Sequence, residues 1–162
     1  MNVAPDVVVL MGSERDWDVM RATIATLQDF GVSCAARVLS AHRTPAQTAE
    51  YVRQCDAAGT RVFIAAAGMA AHLAGAVAAN TTRPVLGVPL AASELNGLDA
   101  LLATVQMPPG IPVGTLAIGK AGAVNAAYLA ISILANERPE LRQKLEAARQ
   151  KRAEEILRTT LE

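Results

Sequence analysis

His42 and Arg43 stand side by side in Ser40-Ala41-His42-Arg43-Thr44-Pro45, just ahead of a helix start. An imidazole titrates near neutral pH and both gives and takes a proton, while a guanidinium is a permanent cation suited to phosphate or carboxylate. Together they offer proton transfer on a bound anion. Two other stretches supply matching parts. Met11-Gly12-Ser13-Glu14-Arg15-Asp16-Trp17 sets a glycine and a serine before a helix, where free amides, a hydroxyl and the positive helix end favour an anion, and Arg15 adds charge. Ser13 and Asp16 also fit a Ser-x-x-Asp helix cap, so the stretch serves structure equally well. Ala65-Ala66-Ala67-Gly68-Met69-Ala70-Ala71-His72-Leu73 is nearly free of bulk, which lets a flat ligand approach the backbone, with His72 at or just inside the next helix. Taken singly, each histidine is explained as well by local packing or capping.

Other chemistries lack their parts. No nucleophile pairs with a base and no two carboxylates are set together. The chain has only two histidines, and zinc needs three or four ligands. The first loop has neither the Gly-Lys-Ser/Thr ending of a P-loop nor a Gly-x-Gly-x-x-Gly dinucleotide turn. What is left is acid–base work by histidine on a small phosphorylated substrate, without a cofactor. The segment 106–112 contains Pro108, Pro109 and Pro112, a stiff connection that either walls a site or turns a corner. Asn125 is a weaker candidate.

The elements that must position these groups follow from apolar periodicity. Residues 7–11 form a continuous apolar run, as in a strand buried on both faces. Trp17, Met20, Ile24 and Leu27 then fall at helical spacing up to Phe30-Gly31. Further strands are expected at 32–39, 61–66, 84–88 and 114–118, and helices at 45–59, from the Gly68 turn to about 80, at 98–105, at 121–136 and at 139–158. Thr44, Pro45 and Gln47 fit the N-cap, first residue and third residue of a capping box. Strands alternating with helices imply right-handed crossovers in a parallel sheet. The expected fold is therefore α/β: a three-layer, flavodoxin-like (Rossmann-like) parallel sheet of about five strands, with helices on both faces and an extra C-terminal helix. His42 and Arg43 then lie at the carboxyl edge of the sheet, where open α/β sheets bind ligands.

The 162 residues make one domain. Fifteen basic and fifteen acidic residues leave no electrostatic footprint for nucleic acid or an anionic membrane. The apolar stretch 64–79 is too short to span a bilayer and is interrupted by His72. With no leader pattern at the start and no paired cysteine spacing, Cys34 and Cys55 are expected as reduced, buried thiols of a soluble, cytoplasmic protein. Hydrophobic residues make up 52% but aromatics only 3%, because much of the apolar content is alanine. Such a surface points to self-association. The last helix is polar, with Leu141, Leu145 and Ala148 as a narrow apolar stripe that docks on its own domain or on a neighbour.

Met-Gly-Ser-x-x-Asp-Trp at 11–17, Ser-Ala-His-Arg-Thr-Pro at 40–45, Ala-Ala-His-Leu at 70–73 and Gln-Met-Pro-x-Gly-Ile-Pro at 106–112 occur in order. With the segment 119–126, they resemble the PurE family over nearly the whole chain. The closer likeness is to its class I branch, the 5-(carboxyamino)imidazole ribonucleotide mutases of purine (IMP) synthesis. The resemblance implies transfer of a carboxylate from the exocyclic nitrogen to a ring carbon through trapped carbon dioxide, with no ATP, metal or other cofactor. It makes His42 the catalytic acid/base. Ser13, Ser40 and Arg43 would hold the phosphate and Asp16 the ribose hydroxyls. Gly12, Ala41, Ala67, Gly68, Met69, His72 and Leu73 would line the site. It also implies a homo-octamer in which helix 138–158 packs on a neighbouring subunit. The chain departs from the family pattern in having Arg15 for serine, Met69 for glycine and Ala74 for proline. Arg15 is expected to become a charged phosphate contact, and Met69 to narrow the pocket or shift its backbone. The competing readings are the family's other branch, a carboxylase using free carbon dioxide; a non-catalytic flavodoxin-like binding module; and a relative that has lost catalysis. A receiver module would need aspartate where Ala67 and Gly68 stand, and a flavodoxin would need flanking aromatics.

Overall fold

A computed structural model describes residues 4–161. Five parallel strands form one sheet in the order β2-β1-β3-β4-β5. They are β1 (Val7–Met11), β2 (Cys34–Val38), β3 (Val62–Gly68), β4 (Val85–Leu90) and β5 (Gly114–Thr115). Helices connect them: α1 (Trp17–Asp29), α2 (Pro45–Ala58), α3 (Leu73–Ala78), α4 (Leu98–Val105) and α5 (Lys120–Leu134), followed by α6 (Pro139–Leu157). This is the expected flavodoxin-like arrangement.

Strand alternation divides the core between two faces. Val7, Val9, Met11, Val62, Ile64, Leu86 and Val88 pack under α1, α5 and α6. Val8, Leu10, Phe63 and Ala65 pack under α2 and α3. Both faces of β1 are thus filled, which is why its sequence is an unbroken apolar run. On the second face Thr104 of α4 and Ala74 of α3 converge over Gly87, where a β-carbon would come 2.4 Å from the Thr104 methyl. On the first face alanine earns its abundance. Ala123, Ala126, Ala127 and Ala130 are fully buried, so α5 lies close enough to α1 for the Thr23 hydroxyl to donate to the Ala123 carbonyl at 2.8 Å. Gly122 permits the start of α5, since a β-carbon there would sit 1.6 Å from the Ala117 carbonyl oxygen.

Some boundaries differ from the sequence reading. β5 is a two-residue edge strand rather than 114–118. Beyond it the chain keeps only isolated bonds to β4, from Leu116 N–H to Gly87 and from Gly119 N–H to Pro89, both 2.9 Å. α3 ends at Ala78, and Asn80 folds back to donate its side-chain amide to the Ala76 carbonyl. Cys34 and Cys55 are free, but half-buried rather than enclosed; burial pushes both thiols up from their ordinary range. The stripe on α6 docks on this chain's own core through Leu141 and Leu145, leaving Ile156 and Leu157 exposed at the far end. No helix among the described residues is long and apolar enough to cross a membrane.

Candidate active site

With β2 on one side of β1 and β3 on the other, the strand order reverses between β1 and β3, and a crevice opens at their carboxyl ends. Three loops meet there. The first joins β1 to α1 and closes on itself. Ser13 caps a single 3-10 turn (Glu14–Asp16), its hydroxyl accepting from Arg15 N–H at 3.3 Å, while the Asp16 carboxylate accepts from Ser13 N–H at 2.9 Å. Asp16 is only 8% exposed. Burial pushes its carboxyl above the usual aspartate range, against the pull of the Ser13 and Gly12 amides and the charge of Arg43. Trp17 follows as the first residue of α1 and is 42% exposed.

The second loop, from β2 to α2, is built differently. Thr44 occupies the N-cap position and Pro45 the first helical turn, as expected, but the Thr44 side chain makes no cap bond, so the anticipated box with Gln47 does not form. Instead the Thr44 hydroxyl turns back across the loop, accepting from Ser40 N–H at 2.9 Å and donating to the Ser40 carbonyl at 3.1 Å. That tight link to its own loop holds the hydroxyl away from the helix end. Arg43 ties this loop to the first one: its Nη2 donates to the Gly12 carbonyl at 2.8 Å, and its backbone N–H and Nε donate to the Ser40 hydroxyl at 3.2 and 3.4 Å.

The third loop runs from β3 to α3. Met69 has φ +56°, a left-handed conformation that favours glycine, and its side chain is exposed. A β-carbon at Gly68 would lie 2.4 Å from that of Ala92, so the absence of a side chain there lets the end of β4 close on the site. His72 immediately precedes α3. Its Nδ1 lies 2.8 Å from Nε2 of His42, with the rings edge-to-face at 79° and centroids 4.9 Å apart.

The loops enclose a cleft of about 340 Å³, within the range of small-molecule sites. Gly12, Ser13, Asp16, Ser40, Ala41, His42 and Arg43 line it from the first two loops. Ala67, Gly68, His72 and Leu73 line it from the third, together with Ala70 of the same small-residue stretch. Arg15 and Met69 are exposed and lie outside this lining. Ala92 completes the wall and escaped the sequence reading; the only hint was Gly68, whose missing side chain makes room for it. Segment 106–112 leads into the amino end of β5, so within this chain it turns a corner at the opposite edge of the sheet, beside a separate groove of about 510 Å³. Asn125 faces a groove with Tyr128 and Arg152, away from the cleft. Among the described residues no three His, Cys, Asp or Glu side chains gather as a metal ion would require. The cleft therefore combines a cation and two hydroxyls at one end, a buried carboxylate beside them, and a histidine pair next to a wall of alanine and glycine.

Residues 6–155 match the family model described as AIR carboxylase. An N5-carboxyaminoimidazole ribonucleotide mutase of Saccharolobus solfataricus is 49% identical over 98% of this chain and 99% of its own length. A mutase of the same name from Pyrococcus abyssi is 50% identical over 90% of this chain and 83% of its own. Among solved structures, Treponema denticola PurE superposes with a TM-score of 0.85 at 25% identity, covering 93% of each chain. On these matches and on the ordered motifs that surround the cleft, the chain belongs to the AIR carboxylase, or PurE, family.

Proposed function

We propose that this protein is a 5-(carboxyamino)imidazole ribonucleotide mutase, forming 4-carboxy-5-aminoimidazole ribonucleotide in purine synthesis. The observation that carries this is that one cleft is lined by His42, by Ser13, Ser40 and Arg43, and by the small residues Ala67, Gly68 and Ala70. In the first half-reaction, protonated His42 gives its proton to the exocyclic nitrogen as the carbamate C–N bond breaks, leaving an amine and carbon dioxide. The gas stays against the alanine and glycine wall. The ring carbon then attacks it, and His42 takes back a proton from that carbon to restore aromaticity. The proton lent equals the proton returned, so no net acid or base is consumed and neither metal nor cofactor is needed. Retaining carbon dioxide keeps the second step unimolecular, which is worth many orders of magnitude in rate.

Ser13, Ser40 and Arg43 hold the phosphate, and Asp16 accepts from the ribose hydroxyls, a use that favours a carboxylate held at a fixed angle by backbone amides. Arg15 turns inward to join the phosphate seat; a substrate-bound structure with its guanidinium in solvent would refute that part. The proposal includes a cytoplasmic homo-octamer in which the exposed end of α6 reaches a neighbouring subunit. Exposed Leu98, Leu102 and Val105 on α4, together with exposed Ile156 and Leu157 on α6, support self-association. A monomeric mass by light scattering at micromolar concentration would reject it.

The test is conversion of the carbamate nucleotide to the ring-carboxylated product without ATP or bicarbonate, alongside His42→Asn. The wild type is expected to turn over and the variant to lose roughly 10²- to 10⁴-fold in kcat. The second reading is direct carboxylation of aminoimidazole ribonucleotide by dissolved carbon dioxide, the activity named in the family model's description but not in those of the mutase relatives. Product formed only from that nucleotide plus bicarbonate would establish it instead.

A further inference from the structure

The contact between His42 and His72 has a chemical consequence. Two ring nitrogens 2.8 Å apart, Nε2 of His42 and Nδ1 of His72, hold one hydrogen between them: two N–H groups would collide and two lone pairs would repel. The other nitrogen of His42, Nδ1, has no protein partner among the described residues. His42 is exposed and its ring is met edge-to-face by His72, whereas the other bonds of this loop belong to Ser40, Arg43 and Thr44. A catalytic imidazole is usually oriented through the nitrogen it does not use for chemistry.

We infer that His72 is a positioning residue for His42, accepting a hydrogen bond from His42 Nε2–H throughout the cycle and so reserving His42 Nδ1 for the substrate. This rests on the function proposed above. The balance of protons favours it. When His42 is charged, Nε2–H points to His72 and Nδ1–H is available to the exocyclic nitrogen. Once that proton has been given, His42 is neutral in the Nε2–H form, its bond to His72 is unchanged, and Nδ1 presents a lone pair to the ring-carbon proton. Had Nε2 been the working atom, the 2.8 Å contact would have to break and re-form in every turnover. His72 keeps its own proton on Nε2 and exchanges none with the substrate.

The test compares His72→Ala with His72→Asn, whose amide oxygen reaches the place of Nδ1. The Ala variant is expected to lose roughly 10- to 100-fold in kcat with KM little changed, and Asn to recover most of the loss. His72 makes no side-chain cap bond to α3, so thermal midpoints are expected to stay level across the set, whereas a merely structural role would lower them. In the empty protein, the ¹⁵N spectrum of labelled histidine is expected to show a hydrogen-bonded Nε2–H on His42, lost in Ala and kept in Asn. Undiminished kcat in the Ala variant, a change confined to KM, an Asn variant as slow as Ala, or a proton found on Nδ1 of neutral His42 would each overturn the role of His72. A wild type unable to convert the carbamate nucleotide would remove the proposed function, and this inference with it. Normal wild-type turnover beside a fully active His72→Ala would remove this inference alone.

Discussion

The loops after β1 and β2 look alike in sequence, each placing a serine and, within three residues, an arginine at the mouth of a helix, yet they are held in different ways. The first completes its own cap: Ser13 and Asp16 satisfy each other's backbone groups, and Asp16 is buried in the process. The second leaves its helix uncapped by Thr44; beyond its own Ser40–Thr44 bonds it is tied outward, through Arg43 to the Gly12 carbonyl and His42 to His72. One loop is a fixed seat. The other closes on itself as well, but sends two side chains out to its neighbours. Phosphate binding suits the former, because preformed amides need no reorganisation when the anion arrives. A group that meets two different atoms of a substrate in succession belongs on the latter.

Within this contrast the largest effect comes from cutting the tie between the two loops. Arg43→Ala removes both the link to Gly12 and the proposed phosphate contact, and is expected to raise KM by roughly 10- to 100-fold, the worth of charged hydrogen bonds. Little change in the thermal midpoint should accompany it, because the side chain is exposed; a midpoint loss exceeding that of a broken helix cap would show the second loop to be structural after all. Ser13→Ala is next. It removes the cap and is expected to cost about 1 kcal/mol, read as a midpoint fall of roughly 2–4 °C, and an unshifted midpoint would mean that the first loop is not held by its box. Met69→Gly on the third loop is expected to gain up to about 1 kcal/mol, by relieving a left-handed non-glycine residue against the added freedom of the unfolded chain. A loss would show that the exposed side chain contributes contacts that outweigh the strain.

The smallest effect is electrostatic. Burial holds the folded Asp16 carboxyl above its ordinary value, so the native state keeps a proton that the unfolded chain has already lost near pH 4. Stability therefore falls as pH rises from that value through the raised one, and stays lower beyond it. Asp16→Asn escapes this loss. Its thermal midpoint is expected to lie slightly above that of the wild type at pH 7, with the gap closing at pH 3, while nucleotide affinity falls. Equal midpoints at both pH values would show that the amide bonds to Asp16 already offset its burial.

Apolar run and small-residue spacing made most of the fold legible. Residues 7–11 could only be a strand covered on both sides, and Phe30-Gly31 and the Pro45 and Pro139 starts marked helix ends. Edges were harder. β5 pairs over only two residues whereas β2, at the other edge, pairs over five, and no local pattern records how far an edge strand's pairing extends. At the site, each loop announced itself by residue type, and eleven of thirteen anticipated residues line one cleft. Arg15 and Met69 do not, since a side chain's direction depends on turn geometry that spacing does not carry. Thr44 shows the same limit: its type predicted a cap, but a nearer partner, Ser40, won the hydroxyl. The meeting of His42 with His72 was also illegible, because residues thirty apart were brought together by the reversal between β1 and β3.

Trp17 turns the first loop into an optical gauge. It is the only tryptophan in the chain, stands directly after Asp16 and is partly open to solvent. Its emission therefore samples the proposed phosphate seat against no other indole background. A nucleotide settling on Ser13 and Asp16, as proposed, would change the water and charge around that single chromophore, so occupancy could be followed in unlabelled protein, at equilibrium or in stopped flow, separately from turnover.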